Sequence, residues 1–254
     1  MNPHSGLERP LPPIRPPFII GHRGACGHAP ENTLISIRKA AEFGLHWVEF
    51  DAMLTADDQI IIFHDDELER ITGHDGITAE MSLENLRKLD AGTWFSDLFG
   101  GEKIPTLAEV FSLLDELQLG AVVEIKPSEG RGRETGILVS DAVCTQWPAS
   151  LPTPIISSFN EDSLAQARDR APGIPRALNL YKNLDRWQEK LIEYDCTALH
   201  CMDSLIDEAI AGTIIQAGYD LRCFTVNDPS RARQLHSWGV ASVFTDFPDR
   251  IVTG

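Results

Sequence analysis

The sequence predicts a (β/α)8 barrel, the TIM-barrel class of α/β fold, with a small insertion after the second strand. The chain has 254 residues, close to the roughly 250 residues typical of such a barrel. Nine short apolar runs alternate with helical patterns, and one of the nine belongs to an antiparallel hairpin, which leaves eight barrel strands. Eight strand-helix units fit a closed barrel better than an open doubly wound sheet.

The first strand-helix unit begins the barrel. Phe18 to Ile20 is a short apolar strand that runs into the polar loop GHRG. Asn32 is expected to cap the following helix, because asparagine is a favoured N-cap residue. That helix is expected to end at Gly44, since glycine is favoured just after the last helical turn.

The second strand, Trp47 to Leu54, carries the first candidate site residues. Glu49 and Asp51 are two residues apart, so both side chains leave the same face of the strand. The polar turn that follows is too short for a parallel crossover, so the next apolar run, Ile60 to Phe63, must return antiparallel. This hairpin brings His64 back to the level of the two carboxylates.

The rest of the chain completes the barrel. Residues 67–104 contain several glycines and one short helical pattern near Ser82 to Leu89, which predicts an insertion over one end. Thr106 and Glu109 form a capping box at the start of an amphipathic helix. The remaining strands are predicted at 121–125, 154–158, 175–180, 198–201, 221–226 and 242–245, with helical stretches such as 161–170, 207–217 and 229–238 between them.

Polar residues stand at the carboxyl ends of most of these strands. They are His22 and Arg23 on the first barrel strand, Glu49 and Asp51 on the second, Glu124 and Lys126 on the third, His200 on the sixth, Asn227 on the seventh and Asp246 on the eighth. Charged groups at the ends of apolar strands are costly in a core. A shared polar mouth at the C-terminal face, where barrel active sites lie, explains them together.

The residue types indicate a metal-assisted reaction at phosphorus. Glu49, Asp51 and Glu124 form an all-oxygen ligand set, which favours Mg²⁺ or Ca²⁺, with Mn²⁺ as a further candidate, over a soft metal. Arg23 and Lys126 suit the oxygens of a phosphate. The charges of these five side chains, one divalent cation and one phosphodiester cancel.

Two histidines supply proton transfer. His22 and His64 titrate near neutral pH when unperturbed and can act as a base and acid pair in an in-line displacement. Structural explanations compete for each residue alone: His64 could bond Asp65 in a turn, and the carboxylates could form ion pairs. His200 could line the substrate pocket or only hydrogen-bond at a strand end.

Composition sets limits on partners and setting. The formal charge of −16 and the pI near 4.8 disfavour nucleic acid and anionic membrane surfaces as partners. Five cysteines without a CxxC pair indicate reduced thiols in a cytoplasmic protein. Residues 1–17 are predicted to be a proline-rich leader without a secretory signal, and residues 18–254 are predicted to form one domain. No apolar run is long enough for a membrane span. A monomer and a homodimer both remain open.

Several ordered motifs resemble the glycerophosphodiester phosphodiesterase family, most closely its short cytosolic bacterial members. They are GHRGACGHAPENT at 21–33, VEFDAMLTADDQIIIFHDDELERITG at 48–73, DAGTWF at 90–95, IPTLAEV at 104–110, EIKP at 124–127, FTVN at 224–227 and FTDFP at 244–248.

The resemblance implies a barrel with a small insertion and metal-dependent hydrolysis of deacylated phospholipids to sn-glycerol 3-phosphate and an alcohol. It implies His22 and His64 as the acid/base pair, Glu49, Asp51 and Glu124 as metal ligands, and Arg23 and Lys126 as phosphate contacts.

Some positions depart from the family pattern. The turn has Asp57-Asp58 where Asp-Gly is usual, Phe224 stands where Trp is common, Ile71 replaces a threonine, and His28 replaces an aromatic residue. None is a proposed ligand, so they affect the expected substrate preference and not the reaction.

Two alternative functions stay open. A lyase-like relative would use the substrate's own hydroxyl and release a cyclic phosphate, with the same residues. A non-catalytic barrel would bind phosphorylated metabolites, although it would not need both histidines. Trp94 and Phe95, in the insertion, could either cap the pocket or pack the insertion onto the barrel.

Overall fold

The computed structural model describes residues 16–251. Its strands are β1 Ile19–Gly21, β2 Trp47–Leu54, β3 Ile60–Ile62, β4 Gly120–Ile125, β5 Ile155–Ser158, β6 Arg176–Leu180, β7 Ala198–Met202, β8 Asp220–Phe224 and β9 Ser242–Thr245. Its α-helices are α1 Leu34–Glu42, α2 Glu69–Thr72, α3 Leu83–Leu86, α4 Leu107–Leu117, α5 Gly132–Gln146, α6 Glu161–Arg170, α7 Trp187–Glu193, α8 Glu208–Gln216 and α9 Pro229–Ser237. Short 3₁₀ turns lie at Thr78–Glu80, Asp97–Phe99, Asp203–Leu205 and Pro248–Arg250.

Eight parallel strands close into a ring. The sheet order is β1-β9-β8-β7-β6-β5-β4-β2-β3, and an additional pairing of β1 with β2 completes the circle. Because helices follow the strands in alternation, the predicted TIM barrel is confirmed. None of the helices within residues 16–251 is long and apolar enough to span a bilayer.

The hairpin strand β3 lies outside the ring. It pairs antiparallel with the last residues of β2, Ala52 to Leu54, whereas β1 meets the same strand further back, at Val48. On this edge of β2, an early residue therefore pairs with β1 in the barrel, and the last residues pair with β3 in the hairpin. This division lets a short return strand leave the barrel wall directly beside the mouth.

The predicted insertion connects this hairpin to α4. Its apolar side chains form a small core with the hairpin, which includes Met53, Ile61, Leu68, Leu86 and Ile104. Helix α3 corresponds to the helical pattern near 82–89, and α4 begins with the predicted capping box of Thr106 and Glu109.

The predicted cap of α1 was wrong by one residue. The N-cap is Thr33, whose side chain accepts a hydrogen bond from the backbone N–H of Ser36, and Asn32 precedes it with φ of 56°. Asparagine tolerates this left-handed conformation better than threonine does, so the two residues divide the turn and the cap between them. Gly44 follows the helix with φ of 78°, as expected of a C-terminal glycine.

The predicted leader falls almost entirely outside the described residues, which include only Pro16 and Pro17 of it. The carbonyl of Pro17 accepts a hydrogen bond from Ser242 Oγ at 2.9 Å, so the described chain starts against β9.

Alternate strand residues point into the barrel and fill its lower half with apolar side chains. This inner cluster contains Ile20, Trp47, Val122, Ile155, Ala177, Ala198 and Phe244. Trp47 fits there because its strand neighbour is Gly120: a Cβ built on that glycine would lie 2.4 Å from the indole ring.

Gly120→Ala should therefore destabilise the protein by about 1–3 kcal/mol, the usual cost of overpacking a core. Gly212→Ala is the matched control, because Gly212 lies within α8 and a Cβ built there meets nothing within 4 Å beyond the adjoining residues and the backbone of its own helix. Alanine there should be neutral or stabilise by up to about 1 kcal/mol. Urea unfolding followed by circular dichroism measures both, and equal effects would contradict the packing assigned to Trp47.

Candidate active site

A cavity of about 450 Å³ opens at the carboxyl ends of the barrel strands. The structure brings all eight residues predicted from the sequence to its wall: His22, Arg23, Glu49, Asp51, His64, Glu124, Lys126 and His200. The wall also contains residues that the sequence did not single out, including Ser157, Phe159, Asn179, Tyr181 and Met202. Asn227 and Asp246, which were also expected at this polar mouth, do not line the cavity, and Asp246 instead contacts His22.

Three carboxylates form the centre of this surface. Asp51 and Glu124 are direct neighbours across β2 and β4, and Glu49 lies one inward position below Asp51. All three side chains are buried, and one oxygen from each lies within 4.8 Å of the others. Oxygens at this spacing can surround one cation with ligand distances between about 2.0 and 2.6 Å.

A separate N–H group holds one oxygen of each carboxylate. The backbone N–H of Arg23 donates to Glu49 Oε2 at 3.0 Å, Asn32 Nδ2 to Asp51 Oδ2 at 2.8 Å, and Asn179 Nδ2 to Glu124 Oε2 at 3.0 Å. Such supporting bonds orient metal ligands and leave the second oxygen available.

Electrostatics also indicates a cation at this position. Burial, reinforced by the charges of Asp51 and Glu124, raises the pKa of Glu49 well above its usual value, and burial with the charge of Asp51 raises the pKa of Glu124 to about 8. Burial opposes ionisation of Asp51 as well, but Arg23, His64 and Lys126 hold its pKa below the usual value. A divalent cation would offset two of the three negative charges when all three groups are ionised, so the donor set fits a hard metal ion.

His22 follows β1 and is supported by a carboxylate. Its Nδ1 lies 2.7 Å from Asp246 Oδ1, and Asn227 Nδ2 donates to the other oxygen of Asp246 at 2.7 Å. Burial alone would raise the pKa of Asp246, but these bonds and one from Cys26 keep that pKa well below its usual value. Because Nδ1 is occupied, Nε2 is the nitrogen of His22 that is available to a substrate.

His64, which follows the hairpin strand β3, has the same arrangement. Its Nδ1 lies 2.6 Å from Asp65 Oδ1, which again leaves Nε2 for the cavity. Burial, together with the charges of Arg23 and Lys126, lowers the pKa of His64 below its usual value, and the charge of Asp51 and the hydrogen bond to Asp65 only partly offset this effect. The hydrogen bond to Asp65 that the sequence suggested as a structural role therefore coexists with a place in the cavity wall.

A chain of ion pairs joins the loops that carry the two histidines. Arg23 Nη1 bonds Glu31 at 2.6 Å, and its Nε lies 3.3 Å from Asp51. Glu31 in turn receives two hydrogen bonds from Arg70, and Arg70 also bonds Asp65. The network connects the first loop, the insertion helix α2 and the support of His64.

Lys126 and His200 occupy different depths of the cavity. Lys126 is partly exposed, and its Nζ lies 3.9 Å from Glu124 Oε1. His200 is 2% exposed, lies 5.0 Å from the Phe244 ring and has its Nε2 3.5 Å from Arg222 Nη1. Burial and the charge of Arg222 lower the pKa of His200 well below its usual value, so it is neutral.

The cavity wall is divided chemically. The charged groups, His22 and His64 come from β1, β2, β4 and the hairpin, whereas the wall from β5 to β8 is uncharged and mainly aromatic or apolar, with the neutral His200 on β7. Phe159 meets Tyr181 and Phe224 edge to face at ring separations of 5.4 and 5.6 Å, and Met202 completes this apolar half.

Trp94 and Phe95 do not belong to the cavity wall. Trp94 Nε1 donates to the carbonyl of Ala91 at 2.9 Å, its ring lies under the Arg70 guanidinium, and Phe95 packs against Phe99. These contacts all lie within the insertion, which is neither the capping of the pocket nor the packing onto the barrel that was expected.

Sequence reasoning missed Asn179 and the Glu31–Arg70 link. Asn179 had a readable signal, because it lies two residues after Ala177 and shares the inward face of β6. Glu31 and Arg70 are 39 positions apart and had no such signal.

Comparison with known proteins agrees with this geometry. A model of the glycerophosphoryl diester phosphodiesterase family matches residues 22–250. A phosphodiesterase of Oleispira antarctica, solved in complex with the product sn-glycerol-3-phosphate, superposes with a TM-score of 0.89 and 40% identity over 92% of this chain and 95% of that chain.

Two curated bacterial relatives match over similar lengths. A glycerophosphodiester phosphodiesterase of Caldanaerobacter subterraneus is 30% identical, and the Bacillus subtilis protein YhdW is 34% identical, each over 92% of this chain and 96% of its own length. These matches confirm the enzyme class expected from the motifs. The chain belongs to the glycerophosphoryl diester phosphodiesterase family.

Proposed function

We propose that the protein hydrolyses glycerophosphodiesters, the deacylated phospholipids, to sn-glycerol 3-phosphate and an alcohol. The observation that carries the proposal is one cavity that combines three buried carboxylates with two carboxylate-supported histidines. The product bound to the related Oleispira antarctica enzyme supports the same substrate class. Five unpaired cysteines support the expected cytoplasmic setting.

Glu49, Asp51 and Glu124 would hold the metal ion, with Mg²⁺ and Ca²⁺ as the main candidates and Mn²⁺ as a third. A divalent cation in this site supplies positive charge for the phosphoryl oxygens during displacement. Arg23 and Lys126 add two further cations at the same wall. Together they let a monoanionic diester bind despite the formal charge of −16.

The two histidines would transfer the protons. His22 acts as the base toward the attacking oxygen, and Asp246 stabilises the imidazolium that forms. His64 acts as the acid toward the leaving alkoxide, and its hydrogen bond to Asp65 supports the imidazolium that donates the proton. Both groups use Nε2, because Nδ1 of each ring faces a carboxylate.

The uncharged half of the cavity would hold the carbon skeleton of the substrate. Phe159, Tyr181 and Phe224 offer apolar contact. Asn179 Oδ1 is buried without a hydrogen-bond partner among the described residues, so it suits a substrate hydroxyl. His200, the neutral histidine at the cavity floor, is proposed as a further substrate contact.

Metal removal is the first test. EDTA-treated protein should release no sn-glycerol 3-phosphate from glycerophosphocholine, and added Mg²⁺ or Ca²⁺ should restore release, because the carboxylates alone repel the phosphate. A coupled assay for sn-glycerol 3-phosphate measures this, and chromatography of the products detects any cyclic phosphate. A cyclic end product would support the lyase reaction instead. If no metal restored any product, the non-catalytic barrel that binds phosphorylated metabolites would be the remaining function.

Substitution of the histidines should separate chemistry from metal binding. His22→Ala and His64→Ala should each lower kcat by about 10²- to 10⁴-fold, the usual contribution of one acid or base, while calorimetry shows metal binding largely intact. Glu49→Ala should lose both turnover and metal binding. His74→Ala, at an exposed position in the insertion, should keep both. Full activity of His64→Ala would refute its assignment as the acid.

The raised pKa of Glu124 predicts a pH-dependent cost in the metal-free protein. The unfolded chain releases this proton near 4.5, whereas the metal-free native state keeps it to about 8. Between these values the native state binds more protons, so the contribution of Glu124 to the free energy of unfolding falls by up to about 1.4 kcal/mol per pH unit.

Glu124→Gln removes this contribution. In EDTA the free energy of unfolding of Glu124→Gln should therefore rise relative to that of wild type as pH increases from about 5 to 8. Added Mg²⁺ should raise the free energy of unfolding of the wild type relative to that of the variant. Urea denaturation across this range measures the difference. Glu129→Gln, at an exposed position, is the control, and a wild-type-to-variant difference that does not change with pH would count against the burial assigned to Glu124.

A further inference from the structure

A second group of metal-ligating side chains lies beside the carboxylate site. It consists of His22, Cys26 and Asp246, and one ligand atom from each lies within 4.8 Å of the others. Cys26 Sγ is 2.9 Å from Asp246 Oδ1 and 4.0 Å from His22 Nδ1, and the histidine and the carboxylate are 2.7 Å apart. The three residues contribute a thiol, an imidazole and a carboxylate.

Backbone hydrogen bonds fix the two chain segments that carry these residues. The N–H of His22 donates to the carbonyl of Thr245, and the N–H of Gly27 donates to the carbonyl of Asp246, both at 2.9 Å. The loop after β1 is thus tied to the end of β9 on both sides of Cys26. The three ligands are brought together by the fold before any ion arrives.

We propose that His22, Cys26 and Asp246 form a second metal site, which takes a thiophilic divalent cation such as Zn²⁺ and, when filled, removes His22 from the reaction. The inhibitory half of this proposal rests on the proposed role of His22. The binding half does not.

The spacing of the three atoms suits such an ion. Zinc–sulfur bonds of about 2.3 Å and zinc–nitrogen or zinc–oxygen bonds of about 2.0–2.2 Å place tetrahedral ligands roughly 3.3–3.7 Å apart. The observed distances of 2.7, 2.9 and 4.0 Å bracket that range, so shifts of under about 1 Å in the Asp246 carboxylate and in the Cys26 side chain satisfy it. The side chains of His22 and Asp246 are 20% and 24% exposed, which gives an ion access.

The protons can be accounted for without another reactant. In the metal-free protein, burial and the charge of Asp246 raise the pKa of Cys26, so the thiol is protonated and donates to Asp246. A bound cation displaces that proton to solvent, as metal ions do at coordinating thiols. The thiolate and the Asp246 carboxylate then balance the charge of the ion.

Binding would also change the tautomer of His22. Coordination uses the lone pair of Nδ1, so the remaining ring proton must sit on Nε2, the nitrogen that faces the substrate. His22 then has no free lone pair with which to accept a proton. Occupation of the second site is therefore incompatible with His22 acting as a base.

The two neighbouring sites differ in ligand preference. Glu49, Asp51 and Glu124 offer only hard oxygen donors, whereas a sulfur and a nitrogen donor favour borderline and soft cations. An excess of Mg²⁺ should therefore occupy the carboxylate site and leave the second site for Zn²⁺ or Co²⁺.

A direct binding test uses Co²⁺ as the probe on the full chain in excess Mg²⁺. Wild type should develop the intense near-ultraviolet absorption of a cobalt–thiolate bond, and Zn²⁺ should displace it. Cys26→Ser should lack this absorption, and Cys144→Ser, which changes an exposed cysteine on α5, should keep it. Absence of the absorption in wild type, or its persistence in Cys26→Ser, would overturn the site.

An inhibition test completes the design. In excess Mg²⁺, Zn²⁺ should inhibit the release of sn-glycerol 3-phosphate. The Zn²⁺ concentration that halves the rate should be at least about tenfold higher for Cys26→Ser than for wild type, each measured against its own uninhibited rate. This size is expected because even changes to residues that only support the ligands cost about 10- to 100-fold in metal affinity. Equal sensitivity of Cys26→Ser would place the inhibitory zinc at the carboxylates and refute the inhibitory role. Cobalt–thiolate absorption without any hydrolysis would mean that the proposed function has failed while the metal site stands.

Discussion

The mutual repulsion of three buried carboxylates is the constraint on which the rest of the site depends. Parallel register fixes Asp51 opposite Glu124, and the strand period places Glu49 on the same inward face. Left alone, such a group would take up protons or unfold part of the barrel mouth. The N–H donors from Arg23, Asn32 and Asn179 orient the three groups, and a bound cation would add to the positive charge that Arg23 and Lys126 already supply.

The features that the sequence revealed are those controlled by local rules. The period of two placed Glu49 and Asp51 on one face, and the short link to Ile60 required a hairpin, which delivered His64 to the same wall. Repetition of strand and helix along the chain was sufficient for the barrel. The capping box of Thr106 and Glu109 was also predictable, because the two residues lie within one helical turn.

Other features depend on contacts between distant residues or on a choice between equivalent neighbours. Asn32 and Thr33 are both good caps, and only the turn geometry assigns one to the helix and the other to Asp51. Arg222 was hidden inside an apolar strand pattern, although Asp220, which receives its hydrogen bond, lies two residues away on the same face. The link between Glu31 and Arg70 forms only after the insertion has folded onto the barrel.

The position of β3 has an evolutionary consequence. Since the hairpin takes only the last residues of one edge of β2, and β1 uses an earlier position, the ring of eight strands closes without any contribution from the insertion. The insertion packs with the hairpin in a separate small core, so its length and sequence can diverge while the proposed metal ligands on β2 and β4 keep their places. Recombination or drift in this module could then alter the surroundings of His64 through Arg70 of α2, which bonds the carboxylate beside that histidine, while the carboxylates of the barrel wall are inherited unchanged.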